Sequence, residues 1–266
     1  MDLELTGRRA LVTGGSRGIG KAIARALAEE GVHVAIGARD LTTLSATASE
    51  LAEMTGGRVV PVRLDTGDTA SVDAAVDEVV DLLGGLDILV NNAAVPAGQA
   101  TPPRLAELAD EVFWDDVNVK VLGYLRCARA AEPHLRANGW GRIINVSGLA
   151  ARTTGSTVSS MRNVAVAALT KNLADEFGGS GVNVTCVHPG LTRTERTPGV
   201  VAARAAAGGF DDVEAERRMA SSSVIGRLVD AEEVAWLVAF LASPRSVAVN
   251  GDAIACGGGQ VGSIHY

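Results

Sequence analysis

The sequence has few aromatic side chains and no long apolar run. Only 3% of its 266 residues are aromatic whereas 47% are hydrophobic, so aliphatic side chains must build the core and aromatic stacking is not expected to hold a ligand. No stretch approaches the ~20 apolar residues that cross a bilayer, and the acidic start from Met1 to Glu4 is unlike a secretory leader. We therefore expect a cytoplasmic protein that does not bind membranes.

Cysteine and clustered positive charge are also scarce. Cys127, Cys186 and Cys256 lie far apart in apolar segments, without the CxxC or Cys/His spacing of a metal site, so we expect buried thiols and no metal. The formal net charge is −7 and no run of Lys or Arg offsets it, which argues against nucleic acid as a partner. A small molecule is the expected ligand.

Short Val/Ile-rich runs alternate with longer Ala/Leu/Glu-rich stretches of helical period along the whole chain. This alternation is typical of a parallel sheet covered by helices on both faces. The predicted strands are Arg9 to Thr13, Val32 to Ala38, Arg58 to Leu64, Leu86 to Asn91, Gly141 to Ser147, Asn183 to Val187 and Ala253 to Cys256. Residues 1–266 are thus predicted to form a single α/β domain, a Rossmann-type doubly wound parallel sheet of about seven strands.

One segment departs from this alternation. Residues 191–225 are rich in Ala, Gly, Arg and Ser and separate two regular regions. A segment of this length after a strand is usually a lid or a binding loop, so a substrate lid loop is predicted here. A variable surface excursion without function is the alternative.

A glycine-rich turn follows the first predicted strand. Residues 13–20 read Thr-Gly-Gly-Ser-Arg-Gly-Ile-Gly, and a helix is predicted from Lys21 to Glu30. Glycines there allow a tight turn, close approach of a pyrophosphate to the main chain and packing of helix on strand, while the helix N-terminus attracts negative charge. The turn predicts a dinucleotide site.

The end of the second strand bears on which dinucleotide is bound. An acidic residue at this point would accept a hydrogen bond from the free ribose 2'-hydroxyl of NAD, but this chain has Ala38 followed by Arg39. Arg39, together with Arg17, can pair with a 2'-phosphate, which favours NADP(H). If Asp40 instead of Arg39 faces the ribose, NAD(H) is favoured.

The spacing Thr-Gly-x3-Gly-Ile-Gly resembles that of the short-chain dehydrogenase/reductases. Further blocks of that family follow in order over nearly the full length: residues 64–65, 91–94, 117–119, 141–147, 188–190 and 226–228. The resemblance implies adenine contact near Asp65, cofactor contact from Asn92 to Ala94, and carboxamide-side contact from Pro189 to Thr192. Position 94 holds Ala where the family prefers Gly. The predicted cofactor residues are Gly14, Ser16, Arg17, Gly18, Ile19, Gly20, Arg39, Asp65, Asn92, Ala93, Ala94, Pro189, Gly190 and Thr192.

The resemblance also implies a catalytic Tyr and Lys four residues apart on one helix, where the Lys cation lowers the Tyr pKa and the Tyr transfers a proton. Alignment through residues 169–174 places Ser159 at the Tyr position and Asn163 at the Lys position. No shift of register restores the pair, because no Tyr precedes a Lys by four anywhere. The tyrosines are Tyr124 and Tyr266, and the lysines are Lys21, Lys120 and Lys171.

The family's other two catalytic groups are only partly kept. The usual Ser-Ser pair at a strand end is Ser147-Gly148 here, which removes the second, working serine but leaves Ser147 to compensate. Asn118 is intact, with a structural helix-stabilising role as the alternative. The candidate catalytic residues are therefore Asn118, Ser147, Ser159 and Asn163, although an aliphatic hydroxyl is a far weaker acid than a phenol and an amide carries no charge.

Two further residues near this region have open roles. Arg162 either binds an anionic substrate or is an exposed helix residue, and it is a poor acid in either case. His188 is either a replacement acid or a satisfied histidine at the start of a loop.

Three functions remain open from the sequence. The first is an atypical NADP(H)-dependent oxidoreductase that reduces a carbonyl or imine with another proton source. The second is a catalytically inactive cofactor-binding scaffold, sensor or partner subunit, and the third is non-redox chemistry by Ser147, Ser159 or His188. The resemblance also implies a homodimer or homotetramer formed through helices around 122–135 and 164–177.

Overall fold

In the computed structural model, which describes residues 1–95, 103–262 and 264, strands and helices alternate as the sequence predicts. The strands are β1 (Arg9–Thr13), β2 (His33–Ala38), β3 (Val59–Arg63), β4 (Ile88–Asn91), β5 (Gly141–Val146), β6 (Val182–Pro189), β7 (Thr192–Arg193), β8 (Val229–Asp230) and β9 (Ala253–Cys256). The α-helices are α1 (Gly18–Glu29), α2 (Leu41–Thr55), α3 (Thr69–Leu83), α4 (Asp110–Val117), α5 (Gly123–Ala137), α6 (Thr157–Phe177), α7 (Thr197–Gly208), α8 (Asp212–Ala220) and α9 (Ala231–Ala242). A π-helical turn, Asn118–Leu122, joins α4 to α5.

The main sheet has seven parallel strands in the order β3-β2-β1-β4-β5-β6-β9, which confirms the predicted doubly wound fold. The strand order reverses between β1 and β4. In sheets of this kind a crevice opens at the reversal, beyond the carboxyl ends of the strands, and ligands bind there. The glycine-rich turn lies at this point because it follows β1 directly.

Alternate residues of the strands face two helical layers. On one side Val12 and Ile36 pack in a cluster with Ile23 and Leu27 of α1 and with residues of α9. On the other side Leu11 belongs to a second cluster, with residues of α3, α5 and α6. Both faces are dry, which explains why the strands are almost continuously apolar.

Some predicted bounds differ from those observed. The first helix begins at Gly18 instead of Lys21, so the last glycines of the turn already form its first turn. Strand β6 continues to Pro189, two residues beyond the predicted end, because Pro189 still pairs in register with Cys256 of β9.

Residues 191–225 are mostly helical, whereas the sequence predicts a loop. Helices α7 and α8 pack on each other around a small cluster of their own that includes Val201, Ala205 and Met219. Strands β7 and β8 pair next to it as a separate two-stranded sheet. This segment is therefore a packed helical pair, and its function as a lid stays a prediction.

The three cysteines are free, with Cys127 and Cys186 buried as expected and Cys256 half-buried. Burial raises the pKa of Cys127 to about 12 and that of Cys186 to about 11, so both thiols are protonated at neutral pH. Among the described residues, no helix is both long enough and apolar enough to cross a membrane.

Candidate nucleotide and substrate site

The glycine-rich turn has the backbone geometry that a bound diphosphate requires. Gly14 and Gly18 have φ values of 68° and 55°, in the left-handed region that favours glycine. A Cβ atom on Gly20 would lie 2.2 Å from the carbonyl oxygen of Gly14. The turn can be this tight only with glycine, and it leaves the N-terminal amides of α1 open to an anion.

Side chains at the end of β4 hold this turn in place. The Thr13 hydroxyl oxygen accepts hydrogen bonds from the main-chain amides of Asn92 and Ala93, at 2.9 and 3.0 Å. The side-chain amide of Asn92 donates to the carbonyl oxygens of Thr13 and Gly14, at 3.0 and 3.2 Å. Sequence reasoning did not single out Thr13, although a threonine that ends a strand directly before the glycines was a visible signal.

The residues that follow β2 have distinct roles. Asp40 is the N-cap of α2, and its carboxylate accepts from the main-chain amides of Thr42 and Thr43 and from the Thr43 hydroxyl. The bonds to Thr43 hold the pKa of Asp40 below its usual value. Arg39 and Arg17 are exposed, and within the described residues no hydrogen bond or ion pair engages either guanidinium. The Asp40 carboxylate is thus occupied in capping α2, while both guanidinium groups remain available to bind a ligand.

Asp65 and Asn118 both stabilise the turn after β3. A carboxylate oxygen of Asp65 accepts from the Gly67 amide at 2.9 Å, and the Asn118 side chain donates to the Gly67 carbonyl oxygen at 3.2 Å. Asn118 begins the π turn, and it does not line the cavity described next. Its observed contacts are those of a structural amide.

A cavity of about 530 Å³ opens beside the nucleotide crevice. The predicted site residues that line it are Ile19, Asn92, Ala94, Ser147, Ser159, Asn163, Pro189 and Gly190. Met219 of α8 and Leu228 cover it from the side of the helical segment, and Asp116, Lys120 and Arg162 contribute a charged end. Thr192 and His188 are not among the described lining residues. The Thr192 hydroxyl donates to the Gly190 carbonyl oxygen at 3.0 Å.

The serines of the predicted catalytic set differ in availability. The Ser147 hydroxyl donates to the main-chain carbonyl oxygen of Asn163 at 3.0 Å, so it is tied to α6. Ser159 is half-buried, in the first turn of α6, where its amide donates to the N-cap Ser156 hydroxyl. A Cβ atom on Gly148, where the resemblance predicts the family's second serine, would lie 3.0 Å from the side-chain nitrogen of Asn163.

Asn163, which lines the cavity, has an unsatisfied side-chain acceptor. The residue is 3% exposed, and its side-chain oxygen is buried without a hydrogen-bond partner among the described residues. Leaving such an acceptor unpaired costs about 1–3 kcal/mol, which a ligand hydroxyl would recover. The glycine cradle and this orphaned oxygen both fit a bound nicotinamide dinucleotide, with the ribose hydroxyls as natural donors.

Two cations form the charged end of the cavity: Arg162, which one of its two sequence interpretations placed near the substrate, and Lys120, which sequence reasoning did not place there. Arg162 is 6% exposed and forms an ion pair with the buried Asp116. The alternative that it is an exposed helix residue is therefore wrong. The Lys120 ammonium donates to the Ser147 carbonyl oxygen at 2.9 Å and is also buried. Burial and the charge of Arg162 lower the pKa of Lys120 to about 7. The available signal was a lysine in an otherwise apolar segment two residues after Asn118.

The other candidate proton donors are engaged elsewhere. The Tyr124 hydroxyl is buried and donates to the Val146 carbonyl oxygen at 2.8 Å, and burial raises its pKa well above the usual value. His188 is buried in β6, with Nδ1 3.8 Å from the Cys186 sulfur. Tyr266 lies outside the described residues.

An acidic side chain occupies the N-terminus of α1. Glu195, which follows β7, accepts a hydrogen bond from the Gly18 amide at 3.1 Å. This amide belongs to the anion-binding end of the helix, so a carboxylate stands where the cofactor diphosphate is expected.

Comparisons with known proteins agree with this geometry. Residues 14–260 match the family model described as enoyl-(acyl carrier protein) reductase. The chain is 36% identical over 253 residues to the short-chain reductase protein NovJ of Streptomyces niveus, covering 94% of this chain and 93% of that protein. It is 33% identical over 261 residues to the (2S)-[(R)-hydroxy(phenyl)methyl]succinyl-CoA dehydrogenase subunit BbsD of Thauera aromatica, covering 96% and 98%.

A solved structure extends the likeness to three dimensions. L-sorbose reductase from Gluconobacter frateurii, complexed with NADPH and L-sorbose, matches with a TM-score of 0.93 and 32% identity, over 99% of this chain and 100% of that chain. The resemblance seen in the sequence motifs thus extends to the fold over 99% of the chain. This chain belongs to the short-chain dehydrogenase/reductase family of oxidoreductases.

Proposed function

We propose that the protein is an NADP(H)-dependent oxidoreductase that acts on a carbonyl or CH–OH group through a non-standard proton donor. The observation that carries this proposal is the continuity of the site. An intact glycine cradle leads into a cavity of about 530 Å³ whose far end is polar and buried. A pocket of this kind can orient a hydride donor against a small substrate even though the Tyr and Lys positions hold Ser159 and Asn163.

The residues present suggest how the cofactor is held. The amides at the start of α1 would bind the diphosphate, and the orphaned oxygen of Asn163 would accept from a ribose hydroxyl. Pro189 and Gly190 would border the carboxamide. The bound cofactor would supply the hydride, and Met219 and Leu228 would place apolar side chains against the substrate.

NADP(H) is favoured over NAD(H) because Arg17 and Arg39 are exposed and available, whereas Asp40 caps α2. The NADPH complex of the sorbose reductase supports the same choice. We expect Arg39→Ala to weaken NADPH binding about 10-fold, or about 1.4 kcal/mol, and to leave NADH binding unchanged. Fluorescence titration with both cofactors measures this.

Arg25→Ala is the matched control for this substitution, because Arg25 pairs with Glu29 on the outside of α1. Equal losses for NADPH and NADH in Arg39→Ala would contradict a contact with the 2'-phosphate.

Turnover itself is tested by adding a panel of carbonyl compounds, with L-sorbose among the ketoses, to protein saturated with NADPH. Consumption of NADPH with formation of the alcohol supports an oxidoreductase. Tight binding without consumption on any member of the panel contradicts turnover and favours the second candidate below. If neither NADPH nor NADH binds, both candidate functions are contradicted.

The second candidate is a catalytically inactive partner subunit of a hetero-oligomeric dehydrogenase. It is favoured by the simultaneous loss of Tyr, Lys and the working Ser, and by the similarity to BbsD, which is named as a dehydrogenase subunit. Co-production with a family member from the same genome that retains Tyr and Lys tests it. A stable mixed oligomer, more active than that partner alone, is the expected result, and separate homo-oligomers would rule this candidate out.

A further inference from the structure

Lys120 contributes a primary amine to the lining of the cavity, and it does so from the π turn instead of from α6. The residue belongs to the π turn Asn118–Leu122, not to α6, where the family places its lysine. It is 4% exposed, lines the same cavity as Ser159 and Asn163, and donates to the Ser147 carbonyl oxygen at 2.9 Å. That single bond occupies one of the three N–H groups of the ammonium.

No other lysine can take this place. Lys21 pairs with Glu50 and Lys171 pairs with Asp175, both on the surface. Because these three are all the lysines of the chain, the amine in the cavity is unique.

The groups around Lys120 make its proton labile. Asp116 of α4, the nearby carboxylate, is bound to Arg162 of α6, so Lys120 lies next to an ion pair and has no carboxylate of its own. The Cys186 thiol of β6 and the Tyr124 phenol, whose ring centre is 6.0 Å from the amine, both have raised pKa values and stay neutral. Burial and the charge of Arg162 therefore outweigh the attraction of Asp116, and they lower the pKa of Lys120 to about 7.

We propose that Lys120 is the proton donor of this cavity and replaces the absent tyrosine and lysine of α6 from the neighbouring π turn. This inference rests on the proposed function, since NADPH is the reductant that delivers the hydride to the carbonyl carbon. An N–H bond of the Lys120 ammonium breaks and an O–H bond forms at the carbonyl oxygen, which yields the alcohol and a neutral amine. The amine then regains a proton from water. A general acid with a pKa close to the working pH is well suited to this transfer.

Lysine labelled with ¹³C at Cε gives a first test that needs no turnover. The chain has three lysines, so three resonances are expected, and Lys21→Met and Lys171→Met assign the two surface ones. We expect the remaining resonance to titrate with a midpoint of about 7, well below that of Lys171, whose hydrogen bond to Asp175 raises its pKa. A midpoint near that of Lys171 would overturn the proposal, and this readout remains valid even if substitutions at Lys120 fail to fold.

Turnover supplies the second test. Lys120→Met should lower kcat for carbonyl reduction by at least about 100-fold with NADPH affinity unchanged, since general acid catalysis contributes about 10²–10⁴-fold. Lys120→Arg should be equally impaired, because its guanidinium keeps the charge but does not release a proton near neutrality. Lys171→Met, an exposed lysine on the outer face of α6, is the control that should retain full activity.

The outcomes distinguish a failure of the Lys120 role from a failure of the proposed oxidoreductase function. If the natural protein consumes NADPH and either Lys120 variant keeps its kcat within about twofold, the Lys120 role fails and the oxidoreductase stands. If the natural protein binds NADPH but reduces no carbonyl compound, the proposed function fails and the donor role fails with it.

Discussion

At the scale of single residues, burial changes the chemistry of Lys120 more than that of any exposed lysine of the chain. Its pKa is lowered to about 7 in the folded protein, against ~10.4 for an unfolded lysine. Between these values the unfolded chain binds more protons than the folded one, so the free energy of unfolding rises with pH across that window. Below the folded pKa the amine is charged in both states, and its burial then costs stability in full.

Lys120→Met is therefore expected to stabilise the fold at about pH 6 by about 2 kcal/mol, because it removes a buried cation that lacks its own counter-ion. The variant should also lose the part of the rise in stability between about pH 7 and 10 that Lys120 causes. Urea unfolding of both proteins at several pH values measures this difference. Lys171→Met is the control, and identical pH profiles for the natural protein and Lys120→Met would refute the prediction.

Gly20 gives a steric prediction at the same scale. An added Cβ would lie 2.2 Å from the Gly14 carbonyl oxygen, which is main chain and cannot swing away. We expect Gly20→Ala to cost about 2 kcal/mol of stability and to weaken dinucleotide binding at least about 10-fold. Thermal unfolding and cofactor titration measure the two effects.

The control for Gly20→Ala is Gly178→Ala, since a Cβ at Gly178 meets nothing within 4 Å and φ there is −53°. That control should change stability by less than about 0.5 kcal/mol. Normal cofactor binding by Gly20→Ala would show that the turn does not need its observed geometry.

At the scale of secondary-structure elements, the N-terminus of α1 is shared between the expected diphosphate and Glu195. The carboxylate accepts from the Gly18 amide, so a cofactor must displace it or bind beside a like charge. Since Glu195 lies two residues before the start of α7, this contact links the helical pair to the nucleotide turn. If helices α7 and α8 act as a lid, the cofactor must displace Glu195 and so move them when it binds.

Glu195→Gln should accordingly raise the affinity for NADPH by about 3-fold, as expected from removing a competing charge worth about 0.3–1 kcal/mol. The gain should shrink at high ionic strength, because the site is exposed. Asp212→Asn, which removes an exposed charge from α8, is the matched control. Unchanged or weaker binding by Glu195→Gln would mean that the carboxylate does not compete for this helix end.

At the scale of the whole molecule, several apolar side chains are exposed on the helices through which the resemblance predicts association. Leu125 of α5 and Val164 of α6 are 39% and 51% exposed, and Met161 of α6 is 52% exposed. Large apolar side chains left exposed on the same two helices are candidates for a contact surface. They support the homodimer or homotetramer that the resemblance implies.

Val164→Glu is expected to shift the protein to a smaller oligomer, because the face that buries it in a symmetric assembly would bury the new charge twice. Sedimentation velocity measures the change in mass. Leu82→Glu, on α3, makes the same kind of substitution at a residue that is 37% exposed and should not alter the mass. A natural protein that sediments only as a monomer would disprove the assembly.

Local patterns were enough to establish the framework of this protein. The alternation of apolar runs and helical stretches specified the seven-stranded parallel sheet, and the spacing of glycines after β1 located the nucleotide turn. Ser159 and Asn163, at the positions that the resemblance assigns to the catalytic Tyr and Lys, predict that the usual acid and its cation are missing. Each of these features depends on neighbours within a few positions along the chain, which is why sequence alone could reveal it.

Folding decided what surrounds those positions. Asp116, Lys120, Ser147 and Arg162 come from three separate stretches of chain, and only the packing of the π turn against β5 and α6 brings them into one cavity. The same holds for the capping role of Asp40 and for Glu195 at the end of α1. Burial, pairing and pKa depend on distances in space, and no spacing along the chain contains those distances.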